Sequence, residues 1–202
     1  MSKQILLTIL TFILFTVTVF GVPKSQTDDE KTQVKTVEYV DLNKYAGKWF
    51  EIARYPNKFQ KKCVGEVTAT YELKNKKEVM VINECLEKDG KTERAVGKAT
   101  IKDEKSNAKL EVRFAPSWLS WLPQVWGKYW IIDLDKDYQY AAVGNPDRDY
   151  LWILSRTPKL DTATYQGILR RVEAMGFKPN KLIETPQDVE KIKGEVIMKP
   201  QG

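Results

Sequence analysis

The sequence predicts an all-β domain, a sandwich or a barrel, with one helix packed against its outside. From Trp49 onward, runs of alternating apolar and polar residues recur at intervals of about ten residues, with turn residues between them. After Pro158 the apolar period changes from two to that of a helix. Hydrophobic residues make up 42% and charged residues 30% of the 202 residues, which fits one domain with a sizeable core.

The alternation predicts eight strands. Turn residues fill the connections, among them Asn75, Gly90 and Asn107. Eight strands with short antiparallel connections can close into a barrel, which removes sheet edges and leaves room inside for one small ligand. The strands are expected at 48–55, 64–73, 78–85, 93–101, 108–114, 128–134, 138–144 and 150–156.

One amphipathic helix is predicted after the last strand. It begins after Asp161, a good N-cap residue, and ends at Gly176. A short final strand is expected at 182–184. The helix carries a single apolar stripe, formed by Tyr165, Ile168, Leu169, Val172 and Met175.

The first residues have the pattern of a signal peptide. Lys3 precedes an apolar run that extends to Phe20. An uncleaved membrane anchor is the alternative, although the run is shorter than the ~20 residues that cross a bilayer comfortably. No cysteine follows Gly21, so a bacterial lipid attachment at that site is not possible. The predicted organisation is a signal peptide at 1–21, a flexible leader at 22–38, the barrel domain at 39–187 and a tail at 188–202.

Charge and composition limit the chemistry. The net charge is +6, but the lysines are scattered and form no arginine-rich run, so we expect no nucleic-acid partner. A mildly basic surface favours anionic lipid headgroups. The chain has no histidine, which excludes Ser-His-Asp catalysis and most zinc chemistry. We expect neither a metal nor a cofactor.

The two cysteines are predicted to form a disulfide. Cys63 begins the second strand and Cys85 ends the third, and a hairpin that turns near Lys74 or Asn75 would place them opposite each other. The alternative is a reactive thiol, which would require a cationic neighbour beyond Lys61 and Lys62 to lower its pKa.

The segment from Tyr45 to Tyr55, YAGKWFEIARY, is the strongest local signal. Gly47 suits a tight entry into a strand, and Trp49 is large enough to cover one end of a core. Arg156, near the end of the last strand, is expected to stack on the face of Trp49.

Four segments of the chain resemble the lipocalins, in particular the bacterial group that is similar to apolipoprotein D. They are GKWFEIARYPNKFQ, VTATYEL, VMVIN and NPDRDYLWILSRTP. The resemblance implies an eight-stranded antiparallel up-and-down β-barrel, the lipocalin calyx, with one C-terminal α-helix packed outside. It also implies that Gly47, Trp49 and Arg156 close the barrel floor. Members of the bacterial group are commonly outer-membrane lipoproteins. The absent attachment cysteine departs from this pattern and implies instead a periplasmic or secreted protein that is not lipid-anchored at the signal-peptide site.

The resemblance also implies a pocket for a small hydrophobic ligand, and we expect a fatty acid or lysophospholipid that is carried or stored in envelope lipid handling or stress. Strand alternation places Trp152 on the same face as Leu154 and Arg156. Trp152 is therefore the best candidate for a pocket wall. The strand phase is open for the other candidates, which are Phe114, Tyr129, Tyr140, Tyr71 and Asn83.

A tryptophan-rich stretch at 115–130 lies where a polar loop is expected. It could form a lid over the pocket, a patch that contacts a membrane surface, or a homodimer contact, and plain packing against the barrel rim is the alternative. Its apolar residues are Trp118, Leu119, Trp121, Leu122 and Trp126.

An enzyme on the same barrel is the competing function. Isomerase and epoxide-opening activities occur among relatives, and either would require a free thiol or paired carboxylates in the pocket. Because both cysteines are expected in a disulfide, the sequence favours a non-enzymatic binding protein.

Overall fold

An antiparallel barrel of eight strands forms the body of the fold. The computed structural model describes residues 33–114 and 126–188. A short helix α1 (Leu42–Tyr45) precedes the barrel, and helix α2 (Thr162–Ala174), a 3-10 turn (Pro179–Lys181) and a two-residue strand β9 (Ile183–Glu184) follow it. The barrel strands are β1 (Gly47–Arg54), β2 (Cys63–Asn75), β3 (Glu78–Glu87), β4 (Thr92–Ile101), β5 (Lys109–Arg113), β6 (Gly127–Leu134), β7 (Tyr140–Gly144) and β8 (Leu151–Ser155).

The sheet closes on itself through β1. Each strand from β2 to β7 pairs with the next one along the chain, and β1 pairs with β8 on one side and β2 on the other. Trp49 lies opposite Ala69, and Phe50 lies opposite both Thr68 and Ser155. The predicted barrel is confirmed, and each predicted strand agrees with the observed one to within two residues at either end.

Two hydrophobic cores lie on the two sides of the barrel wall. The inner core contains Trp49, Val81 and Leu154 among its members. The outer core contains Ile153 of β8 and the residues Ile168 and Val172 of α2. The predicted outer helix is therefore confirmed. Its N-cap is also as predicted, since the backbone N–H of Thr164 donates to Asp161 Oδ1 at 2.9 Å.

The chain before α1 is part of the packed structure. Val34 is only 4% exposed, the backbone N–H of Val37 donates to the carbonyl of Ile131 at 3.0 Å, and that of Val40 donates to Ser106 at 2.8 Å. The predicted flexible leader is therefore wrong over residues 33–38. Because isolated valines between polar residues form no strand or helix period, the sequence gives no signal that this segment packs on the barrel.

The C-terminal segment completes the wall between β1 and β2. The register of β1 against β8 shifts between Glu51 and Ala53, and beyond this bulge β1 pairs with β9, Ala53 lying opposite Glu184. The carbonyl of Pro186 accepts from the backbone N–H of Glu66 on β2 at 2.8 Å. The short final strand that the sequence predicts thus closes a seam of the barrel.

Cys63 and Cys85 form the predicted disulfide, with their Cα atoms 5.6 Å apart. The two residues are not directly opposite each other, because irregularities in β2 place Cys63 opposite Glu87. The bond therefore crosses the ladder diagonally and joins β2 to β3. Over the described ranges, no helix combines the length and apolar character required to cross a membrane.

Candidate ligand-binding site in the barrel interior

One end of the barrel is sealed by Arg156 and Trp49. The Arg156 guanidinium carbon lies 3.8 Å from the centre of the Trp49 ring, and Trp49 is fully buried. Trp49 Nε1 donates to the carbonyl of Tyr45 at 2.8 Å, which fixes the indole under α1. The guanidinium donates to the carbonyl oxygens of Lys44 at 2.6 Å, Ala46 at 2.9 Å, Lys48 at 2.9 Å, Tyr45 at 3.2 Å and Tyr138 at 3.3 Å.

Above this floor, three tyrosines meet in the middle of the barrel. The hydroxyl of Tyr129 lies 2.8 Å from that of Tyr45 and 2.8 Å from that of Tyr71. Burial raises the pKa of Tyr71 to about 12 and raises the pKa values of Tyr45 and Tyr129 well above the usual 10.0. The three phenols are therefore neutral and act as hydrogen-bonding groups.

Little space remains around the tyrosines. A cavity of about 10 Å³ lies between them and aliphatic side chains that include Leu73 and Ile131, enough for about one water molecule. The half of the barrel nearest the floor is therefore filled by its own side chains.

The other half of the barrel is lined by small residues. Inward positions of β2, β3 and β4 place Ala69, Asn83 and Ala95 side by side, and Gly97 lies opposite Val81. Ala69, Asn83, Ala95 and Gly97 are partly exposed, whereas Val81, which lies between Tyr71 and Gly97 in the next row, is buried. These small, partly exposed side chains mark the open half of the barrel, here called the cup.

Phe114 lies inside the mouth of the cup, against Gly97. A Cβ atom at Gly97 would come within 2.6 Å of the Phe114 ring, so the absence of a side chain at Gly97 makes room for that ring. Phe114 remains 44% exposed. It forms an aromatic wall that is accessible from the mouth.

Trp152 of β8 forms a second aromatic wall. It packs partly against the inner core, and its Nε1 donates to Gln60 Oε1 at 3.1 Å. The Trp152 ring stacks on Tyr150 with centroids 5.6 Å apart, and Tyr150 lies 6.0 Å from Phe59. A ladder of three rings thus extends from the cup to Phe59, which is 70% exposed at the rim.

A buried polar network lies beside Trp152. Glu51 and Arg54 are 3% and 7% exposed, and Arg54 Nη1 donates to Glu51 Oε1 at 2.7 Å. Thr185, next to β9, donates its hydroxyl to the same oxygen at 2.5 Å, and Gln60 Nε2 donates to Glu51 Oε2 at 2.7 Å. The network joins β1, the loop before β2 and the C-terminal segment at the mouth.

Most of the residues that the sequence selects as pocket candidates lie on the inner face, and their contact with a ligand stays a prediction. Tyr71, Tyr129 and Trp152 belong to or pack against the inner core, and Asn83 and Phe114 lie in the cup. Tyr140 is wrong as a pocket wall. It packs in the outer core, where Arg171 Nη2 of α2 donates to its hydroxyl at 3.0 Å.

Sequence analysis singles out five apolar residues in the tryptophan-rich stretch 115–130. Of these, the structure describes Trp126. It is partly buried, with the Arg113 guanidinium 5.0 Å from its ring centre. Trp118, Leu119, Trp121 and Leu122 lie outside the described residues.

Sequence patterns do not reveal three features of the site. Tyr45 lies 84 residues before its hydroxyl partner Tyr129 in the sequence, so no local signal marks it. Glu51 and Arg54 fall on opposite faces of a regular strand, and only the bulge after Glu51 turns both inward. Gly97 has a signal that could have been used, because a lone glycine within a strand often marks close packing by another group.

Both cysteine sulfurs are bonded to each other. Within 33–114 and 126–188, no group of three or more Cys, Asp or Glu side chains is placed to hold a metal ion. A closed eight-stranded barrel with a sealed floor, an aromatic mouth and an apolar interior defines a class of β-barrel proteins that enclose small hydrophobic ligands.

Comparison with known proteins gives the family. The family model of the Lipocalin-like domain matches residues 40–187. The chain is 39% identical to temperature-induced lipocalin-1 of Arabidopsis thaliana over 160 residues, which cover 78% of this chain and 85% of that protein. It is 38% identical to outer membrane lipoprotein Blc of Citrobacter freundii over 155 residues, covering 76% and 83%. The chain belongs to the lipocalin family.

The fold agrees with solved structures. Insecticyanin from the tobacco hornworm Manduca sexta superposes with a TM-score of 0.58 at 24% identity, covering 75% of this chain and 83% of that one. This similarity concerns the fold alone. The family and the apolar interior together support binding and transport of a small hydrophobic ligand.

Proposed function

We propose that this protein binds the acyl chain of a fatty acid or lysophospholipid in the open cup and carries or stores that lipid. The observation that supports this most is the set of small, partly exposed inward residues Ala69, Ala95 and Gly97, with the Phe114 ring against Gly97 and Trp152 packed against the inner core. Such a surface suits a flexible methylene chain, and each buried methylene contributes about 0.8 kcal/mol before association costs.

The mouth also supplies polar groups of the kind that a lipid headgroup requires. Asn83 is partly exposed among the small residues, and the Glu51–Arg54 network lies next to Trp152 through Gln60. Apolar walls with a few polar groups near the entrance are the usual design of a pocket for an amphipathic ligand.

Solvent extraction of the purified protein, followed by mass spectrometry, would identify a co-purifying lipid. Titration of a fatty acid or lysophospholipid should change tryptophan fluorescence saturably, since Trp152 lies at the cup. Trp152→Phe should abolish most of this change, whereas Trp130→Phe, which alters a tryptophan packed on the outer core, should keep it. An unchanged signal in Trp152→Phe, or no response to any lipid, would contradict the proposal.

We also propose that the protein acts as a carrier and not as an enzyme. The thiol chemistry that an enzyme on this barrel would need is blocked while Cys63 and Cys85 are bonded, and the buried carboxylate of Glu51 is paired with Arg54. Lipid recovered chemically unchanged after prolonged incubation would support the carrier, and a new product would contradict it.

Export from the cytoplasm is part of the same proposal. Both the predicted signal peptide at 1–21 and the disulfide support export, since structural disulfides persist in oxidising compartments. The intact mass of the protein recovered from its natural host should correspond to a chain that begins at Val22, and a full-length mass would contradict cleavage.

Contact with a membrane surface is a second proposed activity, favoured by the rim. Phe59 is 70% exposed, and Lys58, Lys61 and Lys62 around it are exposed without a carboxylate partner among the described residues. An exposed aromatic ring among lysines suits an anionic bilayer. Phe59→Ala should reduce sedimentation with vesicles containing anionic lipid.

Binding to neutral vesicles that equals binding to anionic ones would contradict this role. A Trp118→Ala, Trp121→Ala double variant tests the tryptophan-rich stretch in the same assay. Gel filtration of both variants tests the homodimer contact. A variant that removes this contact should elute as a smaller particle than the wild-type protein.

A further inference from the structure

We propose that Tyr45, Tyr71 and Tyr129, here called the tyrosine floor, form the end stop of the ligand pocket and determine the longest acyl chain that the barrel accepts. The inference rests on the lipid-binding function proposed above and adds the residues that select chain length. It follows from the packing of the three rings, the space left around them and the residues above them.

The tyrosine floor is a fixed barrier. Its members come from α1, β2 and β6, and the two hydroxyl contacts of 2.8 Å join these elements across the barrel. The rings also contact each other, with centroids 5.4 Å apart for Tyr45 and Tyr71 and 6.1 Å apart for Tyr71 and Tyr129. Rotating one ring aside would break one of these hydrogen bonds and separate packed rings, which is costly in a buried site.

No acyl chain can pass beyond the tyrosine floor. The cavity next to the rings measures about 10 Å³, space for about one water molecule. Tyr45, itself part of the tyrosine floor, is in ring contact with Trp49 at 5.0 Å, and Trp49 is covered by Arg156 at 3.8 Å. A ligand therefore ends at the level of Tyr71.

The residues above the floor give the depth of the cup. Val81 lies opposite Tyr71, and β3 ends six residues further on at Glu87, about 20 Å along the strand at ~3.3 Å per residue. With a strand tilt of about 40°, the cup is roughly 15 Å deep. An extended chain that advances about 1.25 Å per carbon therefore fits about twelve carbons, from C–C bonds of about 1.5 Å.

Binding of saturated fatty acids from eight to eighteen carbons to the full chain tests the inference, with displacement of a fluorescent fatty acid as the measurement. The wild-type protein should gain affinity with each carbon up to about twelve and gain little beyond that. Tyr71→Ala removes one ring of the tyrosine floor. The chain length at which affinity stops rising should increase by about four carbons, and the longest chains should bind at least about tenfold more tightly than they bind the wild type.

Tyr71→Phe is the matched control, because it keeps the ring and removes the hydroxyl. It should retain the wild-type chain-length optimum. If Tyr71→Phe shifts the optimum as far as Tyr71→Ala does, polarity and not depth sets the limit, and the inference is overturned. Circular dichroism checks folding, and Tyr45→Ala replaces Tyr71→Ala if that variant does not fold.

The remaining outcomes separate this inference from the proposed function. Wild-type binding with an optimum that neither alanine variant moves would overturn the end stop and leave lipid binding intact. Absence of binding for every chain length, in the wild type and in both alanine variants, would overturn the lipid-binding function itself and the end stop with it.

Discussion

Arg156 stacks on Trp49 at 3.8 Å and at the same time donates hydrogen bonds to the carbonyls of Ala46 and Lys48. These carbonyls flank Gly47, whose φ of +93° would strain any other residue. One side chain therefore joins the end of β8 to the entry of β1 and covers the inner core. The barrel floor depends on the planar, five-donor shape of arginine and not only on its charge.

Replacing Arg156 with Ala should lower the free energy of unfolding by about 2–4 kcal/mol, since it removes the cation–π contact and leaves several carbonyls without a donor. Arg156→Lys should recover less than half of this loss. Urea denaturation is the measurement. Lys77→Ala, which breaks an exposed ion pair with Glu104, is the control and should cost less than about 1 kcal/mol.

Glu51→Ala should be among the most destabilising single changes at the mouth. It leaves Arg54 buried without its carboxylate partner, a situation that typically costs about 3–5 kcal/mol. It also removes the acceptor of Thr185, so the C-terminal segment should separate from β1. Hydrogen exchange of residues 183–187 should therefore increase together with the loss in thermal stability.

Glu72→Ala is the control for this experiment, because Glu72 also pairs with a cation, Lys74, but both side chains are about half exposed. It should change stability by less than about 1 kcal/mol. Equal effects of the two substitutions, or unchanged exchange at 183–187 in Glu51→Ala, would show that the network does not hold the seam.

The strands, the outer helix and the disulfide could be predicted because each follows from a local period or an end position. The sequence does not predict the phase of β7, that is, which of its side chains face the barrel interior. Ala141 and Ala142 are both fully buried, one against the inner core and one under α2, so the strand has no polar face to reveal which side faces inward. The wrong assignment of Tyr140 to the pocket follows directly from this.

The polar network was hidden for a different reason. Strict alternation places Glu51 and Arg54 on opposite faces of β1, and the sequence contains no sign of the register shift between Glu51 and Ala53. The tyrosine floor likewise depends on side chains that meet only when the barrel closes. These parts of the site form only when strands distant in the sequence pair and the barrel closes. No local sequence pattern predicts them.

Gly97→Ala should narrow the mouth and destabilise the barrel. The added methyl would lie 2.6 Å from the Phe114 ring and 2.8 Å from the carbonyl oxygen of Arg113, and crowding of this kind costs about 1–3 kcal/mol. Adding Phe114→Ala should recover only part of that loss, because the backbone contact remains. A double variant as stable as Phe114→Ala alone would show that the ring is the sole obstacle.

The buried phenols predict a specific loss of stability at high pH. Because the pKa of Tyr71 rises from 10.0 to about 12 on folding, the unfolded chain releases this proton first as pH increases. The contribution of Tyr71 is fully present below pH 10.0 and is lost as pH rises toward about 12. The free energy of unfolding should fall by about 1.4 kcal/mol per pH unit for each such group across that window.

Lysines titrate in the same window, so the measured quantity is the difference in unfolding free energy between wild type and Tyr71→Phe, followed by chemical denaturation at several pH values. That difference should decrease as pH rises through the window and stay constant below it. Tyr39→Phe, at a tyrosine that is 59% exposed, is the control for removing a phenol hydroxyl and should change the unfolding free energy at pH 7 by less than about 0.5 kcal/mol. If the Tyr71→Phe difference does not vary with pH, the hydroxyl of Tyr71 ionises in the folded barrel as readily as in water, and the tyrosine floor is more open to solvent than its hydrogen bonds indicate.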